Sequence, residues 1–161
     1  MEVSEPNDQR LALEALYRDR YEATVRLAHL LVADRAVAEE LAQDAFVRLL
    51  PRIATLDDPA AYLRTTIVNL CRDAGRRTTR ARALRAERTR VVDPPELPPT
   101  TTAVWEALQD LPERQRIAVC LRFYDDLSDD DIARVLDVKA ATVRSLVHRG
   151  LTTLKEVVPH G

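Results

Sequence analysis

The residues with the most chemistry to offer stand between positions 139 and 155, where four basic side chains occur without a single acid. With Val143 taken as zero and about 100° added per residue, Arg144, Ser145, His148, Arg149, Thr152 and Lys155 fall on one arc from about 100° to 240°. The other face carries Leu146, Val147, Gly150, Leu151, Leu154 and Val157. A solvated helix face ordinarily mixes both charge signs, whereas an acid-free one suits the DNA major groove. Arginine can donate two bonds to guanine, serine and histidine can bond bases or phosphates, and a carboxylate would be repelled by the backbone.

The residues in front of this helix supply its companion. Ser128 is placed to cap a helix, and Asp129, Asp130 and Asp131 occupy its first turn, where carboxylates interact favourably with the dipole. Ile132, Val135 and Leu136 form its apolar stripe, and Ala133 is small enough for close approach. Residues 137–141 are expected to form a short connection, with Thr142 capping the next helix. The Asp triplet is not read as a metal site, because consecutive helical carboxylates point in different directions and no glycine-bearing loop surrounds them. A helix near residues 103–110 and another restarting at Leu111, Pro112 and Glu113 and reaching Phe123 or Tyr124 complete the domain. Trp105, Leu108, Ile117, Val119, Cys120 and Leu121 are its expected core.

A second constellation lies on a helix that starts at Pro59, with Asp58 as cap and the proline at the first position, where its missing N–H costs nothing. Leu63, Ile67, Leu70, Cys71 and Ala74 form its buried stripe. On another face Tyr62, Asn69, Arg76 and Arg80 fall within roughly 40° of one another. A ring that stacks, an amide that pairs with a base edge and guanidinium groups that neutralise phosphates suit single-stranded nucleic acid. Gly75 weakens this helix by about 1 kcal/mol relative to alanine, so its far basic part is expected to bend or fray.

Before it, Leu11, Ala15, Leu16, Val25, Leu30 and Leu31 recur at helical spacing. Another helix is predicted after Asp34, with Ala38, Leu41, Ala42, Ala45, Phe46 and Leu49 as core. Its opposite arc carries Glu39, Glu40, Gln43, Asp44 and Arg48, which spacing alone reads as solvated surface ahead of a partner's docking site.

Composition agrees with an all-α fold. The 161 residues are 46% hydrophobic but only 4% aromatic, and three glycines are too few for the repeated turns of a sandwich, a barrel or a glycine-loop nucleotide site. Residues 91–102 read VVDPPELPPTTT, whose four prolines fix φ and remove donors. That stretch is predicted to be a stiff linker reaching roughly 35 Å. It divides the chain into two small helical domains, residues 8–90 and 103–158, the second a helix-turn-helix domain.

The formal net charge of -2 conceals a strong asymmetry. Residues 72–90 hold eight arginines against Asp73 and Glu87, while residues 91–138 hold four arginines against eleven acids. Two basic elements separated by an acidic one suggest two contacts with a polyanion. No apolar stretch approaches the roughly 20 residues of a bilayer span, and the first nine residues are polar, so a cytoplasmic protein without a membrane segment is expected. Cys71 and Cys120 are isolated from each other and from the histidines, which makes them small core residues rather than a disulfide or zinc site. With no nucleophile and base pair, metal cluster or phosphate loop, neither an enzyme nor a cofactor is expected.

Four motifs in order carry a family likeness: AEELAQDAFVRLL at 38–50, DPAAYLRTTIVNLCRD at 58–73, LPERQR at 111–116, and LSDDDIARVLDVKAATVRSLVHRGLTTL at 127–154. Over about residues 10–158 the sequence resembles the extracytoplasmic-function (ECF) group of bacterial sigma factors, the two-domain members of the sigma-70 family. The resemblance implies a non-catalytic subunit that brings core RNA polymerase to chosen promoters and helps separate the strands. It implies that Glu40, Gln43, Asp44 and Arg48 bind the clamp helices of the polymerase β′ subunit. Residues 56–59 would form the loop that captures the unwound -10 element, Asn69 would read an extruded base, and the row of Tyr62, Arg76 and Arg80 is compatible with that role. Arg144, Ser145, His148 and Arg149 would bind the -35 element, with the domain's flank on the β flap and the linker running toward the RNA exit path.

Three positions depart from the family's habit. Tyr62 stands where many relatives have tryptophan, Asp137 replaces a common turn glycine, and Leu146 replaces a frequent arginine, removing a phosphate contact. Regulation is expected from outside the chain, through an anti-sigma protein. The residues also admit a helix-turn-helix regulator that acts without polymerase, which leaves the first domain idle, and an adaptor that binds protein only.

Overall fold

Side-chain oxygens cap the starts of three helices. A computed structural model describes residues 6–85 and 99–157, which fall in two compact units, Met1–Arg88 and Thr89–Gly161. In the first unit α1 (Pro6–Val32) leads to α2 (Arg35–Leu49), a single 3-10 turn (Leu50–Arg52) and α3 (Pro59–Arg85). Asp34 caps α2 by accepting the Val37 N–H at 3.2 Å, and Asp58 caps α3 by accepting the Ala61 N–H at 3.1 Å. The α1–α2 corner turns at Ala33, a left-handed residue with φ 62° whose N–H donates to the His29 carbonyl at 3.0 Å.

The core of this unit is built around small residues. Ala28 from α1 and Ala38, Ala42 and Ala45 from α2 are wholly buried, which lets the helix backbones approach so that Phe46, Leu49, Leu63, Ile67 and Cys71 fill the space between them. Val68, which the spacing argument left out, is also wholly buried. Leu11 and Ala15 depart from the periodic reading, since both are exposed; the buried residues of α1 start at Thr24. The helix α3 is continuous through Gly75 to Arg85.

The second unit contains α4 (Pro99–Asp110), α5 (Glu113–Phe123), α6 (Asp129–Leu136) and α7 (Ala140–Val157). The start of α4 corrects the expected boundary at residue 103, because the helix takes up the last four residues assigned to the linker. Proline at a first helical position lacks only an N–H that would have had no partner there. Residues 91–98 lie outside the described residues. Ser128 caps α6 by accepting the Asp131 N–H at 3.2 Å. The turn between α6 and α7 is shorter than expected: Asp137 is left-handed at φ 55°, the Val138 N–H donates to the Ala133 carbonyl at 3.0 Å, and α7 starts at Ala140. Thr142 therefore sits inside the first turn of α7 rather than capping it.

Trp105, Leu108, Ile117, Val119, Cys120 and Leu121 are buried as predicted, and Ile132, Val135, Leu136, Val143, Leu146, Val147 and Leu154 join them. Arg116 closes the α4–α5 corner, donating from Nη1 to the Gln109 carbonyl at 3.0 Å. Both cysteines are free and buried, and burial pushes the Cys120 thiol up to about 12, against a smaller opposing pull from Arg116. Among the described residues no helix is long and apolar enough to cross a membrane, and no group of three or more His, Cys, Asp or Glu side chains could hold a metal ion.

Candidate functional site

The face of α7 that the sequence singled out is an open surface. Arg144, Ser145, His148, Arg149, Thr152 and Lys155 are all exposed, whereas Val143, Leu146, Val147, Gly150 and Leu154 on the other side are buried. The Ser145 hydroxyl donates to the Ala141 carbonyl at 3.3 Å and the Thr152 hydroxyl to the His148 carbonyl at 2.8 Å, so each presents its lone pairs outward as an acceptor. Leu146 is buried, so this position serves packing here and lies off the exposed surface.

One acid does reach this surface. Asp129, at the start of α6, pairs through Oδ2 with Arg144 Nη1 at 3.7 Å and through its other oxygen with Arg122 of α5. Sequence reasoning gave Asp129 only a part in the helix dipole. Its partners lie seven residues before and fifteen after it, beyond any local spacing rule.

On α3 the unbroken helix carries Tyr62, Asn69, Arg76 and Arg80 in one row, Asn69, Arg76 and Arg80 exposed and Tyr62 half-buried. The row is not purely basic, because Asp73 stands in it and pairs with Arg76 at 3.8 Å. At about 100° per residue Asp73 falls about 20° from Tyr62 around the helix, so this acid is legible in the sequence. The Arg52 guanidinium sits over the Tyr62 ring, 5.8 Å from its centre. Of the expected capture loop, residues 56–59, the first three lie between the 3-10 turn and α3 and end at the cap Asp58, whereas Pro59 is the first residue of α3.

On α2 Glu40, Gln43 and Arg48 are exposed and Asp44 is half-buried, pairing with Arg48 at 3.4 Å. Val47 stands between Glu40 and Gln43 around the helix and is 68% exposed, an apolar group in the middle of a charged face. Leu50, the first residue of the 3-10 turn that follows α2, is also exposed. The sequence contained this signal, since Val47 falls outside the predicted core stripe.

Comparison with known proteins finds a family match in each half of the chain. The family described as Sigma-70 region 2 matches residues 16–81, and that described as Sigma-70, region 4 matches residues 101–154. An RNA polymerase sigma-E factor of Streptomyces coelicolor is 32% identical over 157 residues, covering 91% of this chain and 85% of its own length. A namesake in Streptomyces avermitilis is 31% identical, covering 91% and 84%. Among solved structures, the sigma factor RpoE from Bartonella quintana, in complex with the anti-sigma factor NepR, superimposes with a TM-score of 0.73. It is 20% identical, and the match covers 89% of this chain and 94% of that one. At that identity the likeness speaks to the fold.

Proposed function

The chain belongs to the extracytoplasmic-function sigma factors of the sigma-70 family, RNA polymerase subunits that direct the core enzyme to specific promoters and promote strand opening, and on that premise we propose which of its surfaces perform each step. The exposed face of α7 reads the upstream promoter element in the major groove through Arg144, Ser145, His148 and Arg149. The observation that carries this assignment is the exposure of all four side chains on one face whose opposite side is buried. Guanidinium groups on such a face can pair bidentately with guanine while the buried stripe holds the helix at a constant depth.

The first unit works on the other element. The row of Tyr62, Asn69, Arg76 and Arg80 takes the unwound -10 strand, the ring stacking on a base and the amide reading another. Arg52, seated over one face of Tyr62, keeps the ring in place while the strand enters. Extruded bases gain contacts that the duplex lacks, which offsets an unstacking cost of about a few kcal/mol and favours opening. Glu40, Gln43, Asp44 and Arg48 on α2 dock the β′ clamp helices, with Val47 as an apolar anchor within the charged face. The flank of the helix-turn-helix unit meets the β flap, and the two units, the second entered at α4, act as separate promoter-binding modules.

The subunit itself makes and breaks no bonds; its mechanism is differential binding, and it works in the cytoplasm beside the polymerase. An anti-sigma protein is the regulator this reading expects, since RpoE, whose fold the chain shares, is seen bound to one. The test is reconstituted transcription: core RNA polymerase with and without the full chain on a genomic promoter library, with starts mapped. Starts sharing a two-part upstream element only when the chain is present are expected. DNA binding without polymerase association and without new starts would overturn the assignment in favour of a regulator that acts alone.

A further inference from the structure

Asp129 is the single carboxylate within ion-pair distance of the α7 reading face among the described residues, and it is held from behind. Its side chain is largely covered, pairs with Arg122 of α5 through one oxygen and reaches Arg144 Nη1 at 3.7 Å through the other. Three helices therefore meet at one carboxylate: α5 supplies the anchor, α6 the acid and α7 the arginine that faces outward. Arg144 stays mostly exposed, so the charge pairing draws its guanidinium toward Asp129 without removing it from the surface.

We propose that Asp129 is a positioning residue for DNA reading, orienting Arg144 toward one base pair of the upstream element and withholding it from indiscriminate contact with phosphates. The proposal rests on the assignment of α7 to the major groove. An unrestrained arginine explores many rotamers and pairs with whichever phosphate is nearest, a contact that strengthens binding to every sequence alike. A carboxylate on one edge of the guanidinium leaves its remaining N–H groups in a defined fork, the geometry that guanine accepts bidentately. The same negative charge repels the DNA backbone, which weakens non-specific binding more than specific binding.

The experiment is selection from duplexes with a randomised upstream element by holoenzyme assembled with the full chain, together with the salt dependence of its binding to a promoter lacking that element. Asp129→Asn keeps the side chain's shape and removes its charge. The expected result is a loss of discrimination of about threefold or more at one base pair, the one whose preference also disappears in Arg144→Ala, with other positions unchanged. Affinity for the promoter lacking the element should rise, with the slope of log K against log salt steeper by about one phosphate contact. Asp129→Glu, which retains the charge, should keep most of the discrimination, and Asp129→Asn should add nothing in an Arg144→Ala background. Thermal unfolding of each variant shows whether the unit stays folded. Equal loss of affinity for all sequences with unchanged discrimination overturns the proposal and leaves Asp129 a purely structural tie. Arg144→Ala without effect on selection or affinity overturns the reading of α7 itself, and the proposal with it.

Discussion

Gly150 brings α7 so close to α5 that a β-carbon at this position would stand 2.7 Å from Cγ2 of Val119. That methyl is carried on the β-carbon of a side chain that is stiff at χ1 in a helix, so it has little freedom to swing aside. Gly150→Ala is therefore expected to overpack the unit by about 1–3 kcal/mol, more than the roughly 1 kcal/mol that alanine contributes to helix propensity. The protein's one tryptophan, Trp105, is buried in the same unit, and its fluorescence should report an earlier melt. Val119→Ala added to Gly150→Ala should restore part of the loss, and an unshifted or raised melting temperature for the single variant would remove the close contact from the account.

The turn at Asp137 makes a converse prediction. At φ 55° and ψ 51°, glycine is relaxed and a β-branched residue is strained by about 1–2 kcal/mol. Asp137→Gly should leave thermal stability unchanged or raise it, whereas Asp137→Val should lower it. Equal melting temperatures for the two variants would contradict the left-handed turn.

Arg149 is exposed on the α7 face. Arg149→Ala should cost about 1–3 kcal/mol at the base it pairs with and relax selection at that position. An unchanged preference in a library of upstream elements would mean that Arg149 touches no base.

Asn69 stands in the α3 row with its amide in solvent. Asn69→Ala should slow open-complex formation, followed by permanganate reactivity of unpaired thymines, more than it weakens binding to closed duplex. Parallel losses in both steps would withdraw base reading from Asn69.

Val47 is too exposed to matter for folding, so its truncation isolates the interface. Val47→Ala should weaken association with core polymerase by about 1–1.5 kcal/mol, about five- to twelvefold, at an unchanged melting temperature. Full affinity would place the clamp contact on some other part of α2.

Much of this architecture could be read before any coordinates existed, because the rules involved act within one helical turn. Asp34, Asp58 and Ser128 each accept a backbone N–H three residues ahead, so the starts of three helices are written in consecutive residues. The stripes of α2, α3, α5 and α7 follow from the 3.6-residue period, with exceptions such as half-buried Leu41 and Ala74 and exposed Val157, and so does the exposed row on the opposite side of α7. Two errors came from the same locality. A run of prolines reads as linker until one of them proves to occupy a first helical position at Pro99. A threonine near a turn reads as a cap until Asp137 turns the chain early enough for α7 to begin at Ala140.

Relations between helices lay beyond those rules. Asp129 looks like one of three equivalent first-turn acids, yet packing sets it between Arg122 and Arg144 while Asp131 pairs with Arg134 on its own helix. Arg52 comes to lie over Tyr62 only because the 3-10 turn after α2 and the start of α3 are brought side by side. Periodicity states which way a side chain points around its own axis. Whether it meets a charge, a ring or solvent depends on which helix packs there, through contacts between residues distant in the chain.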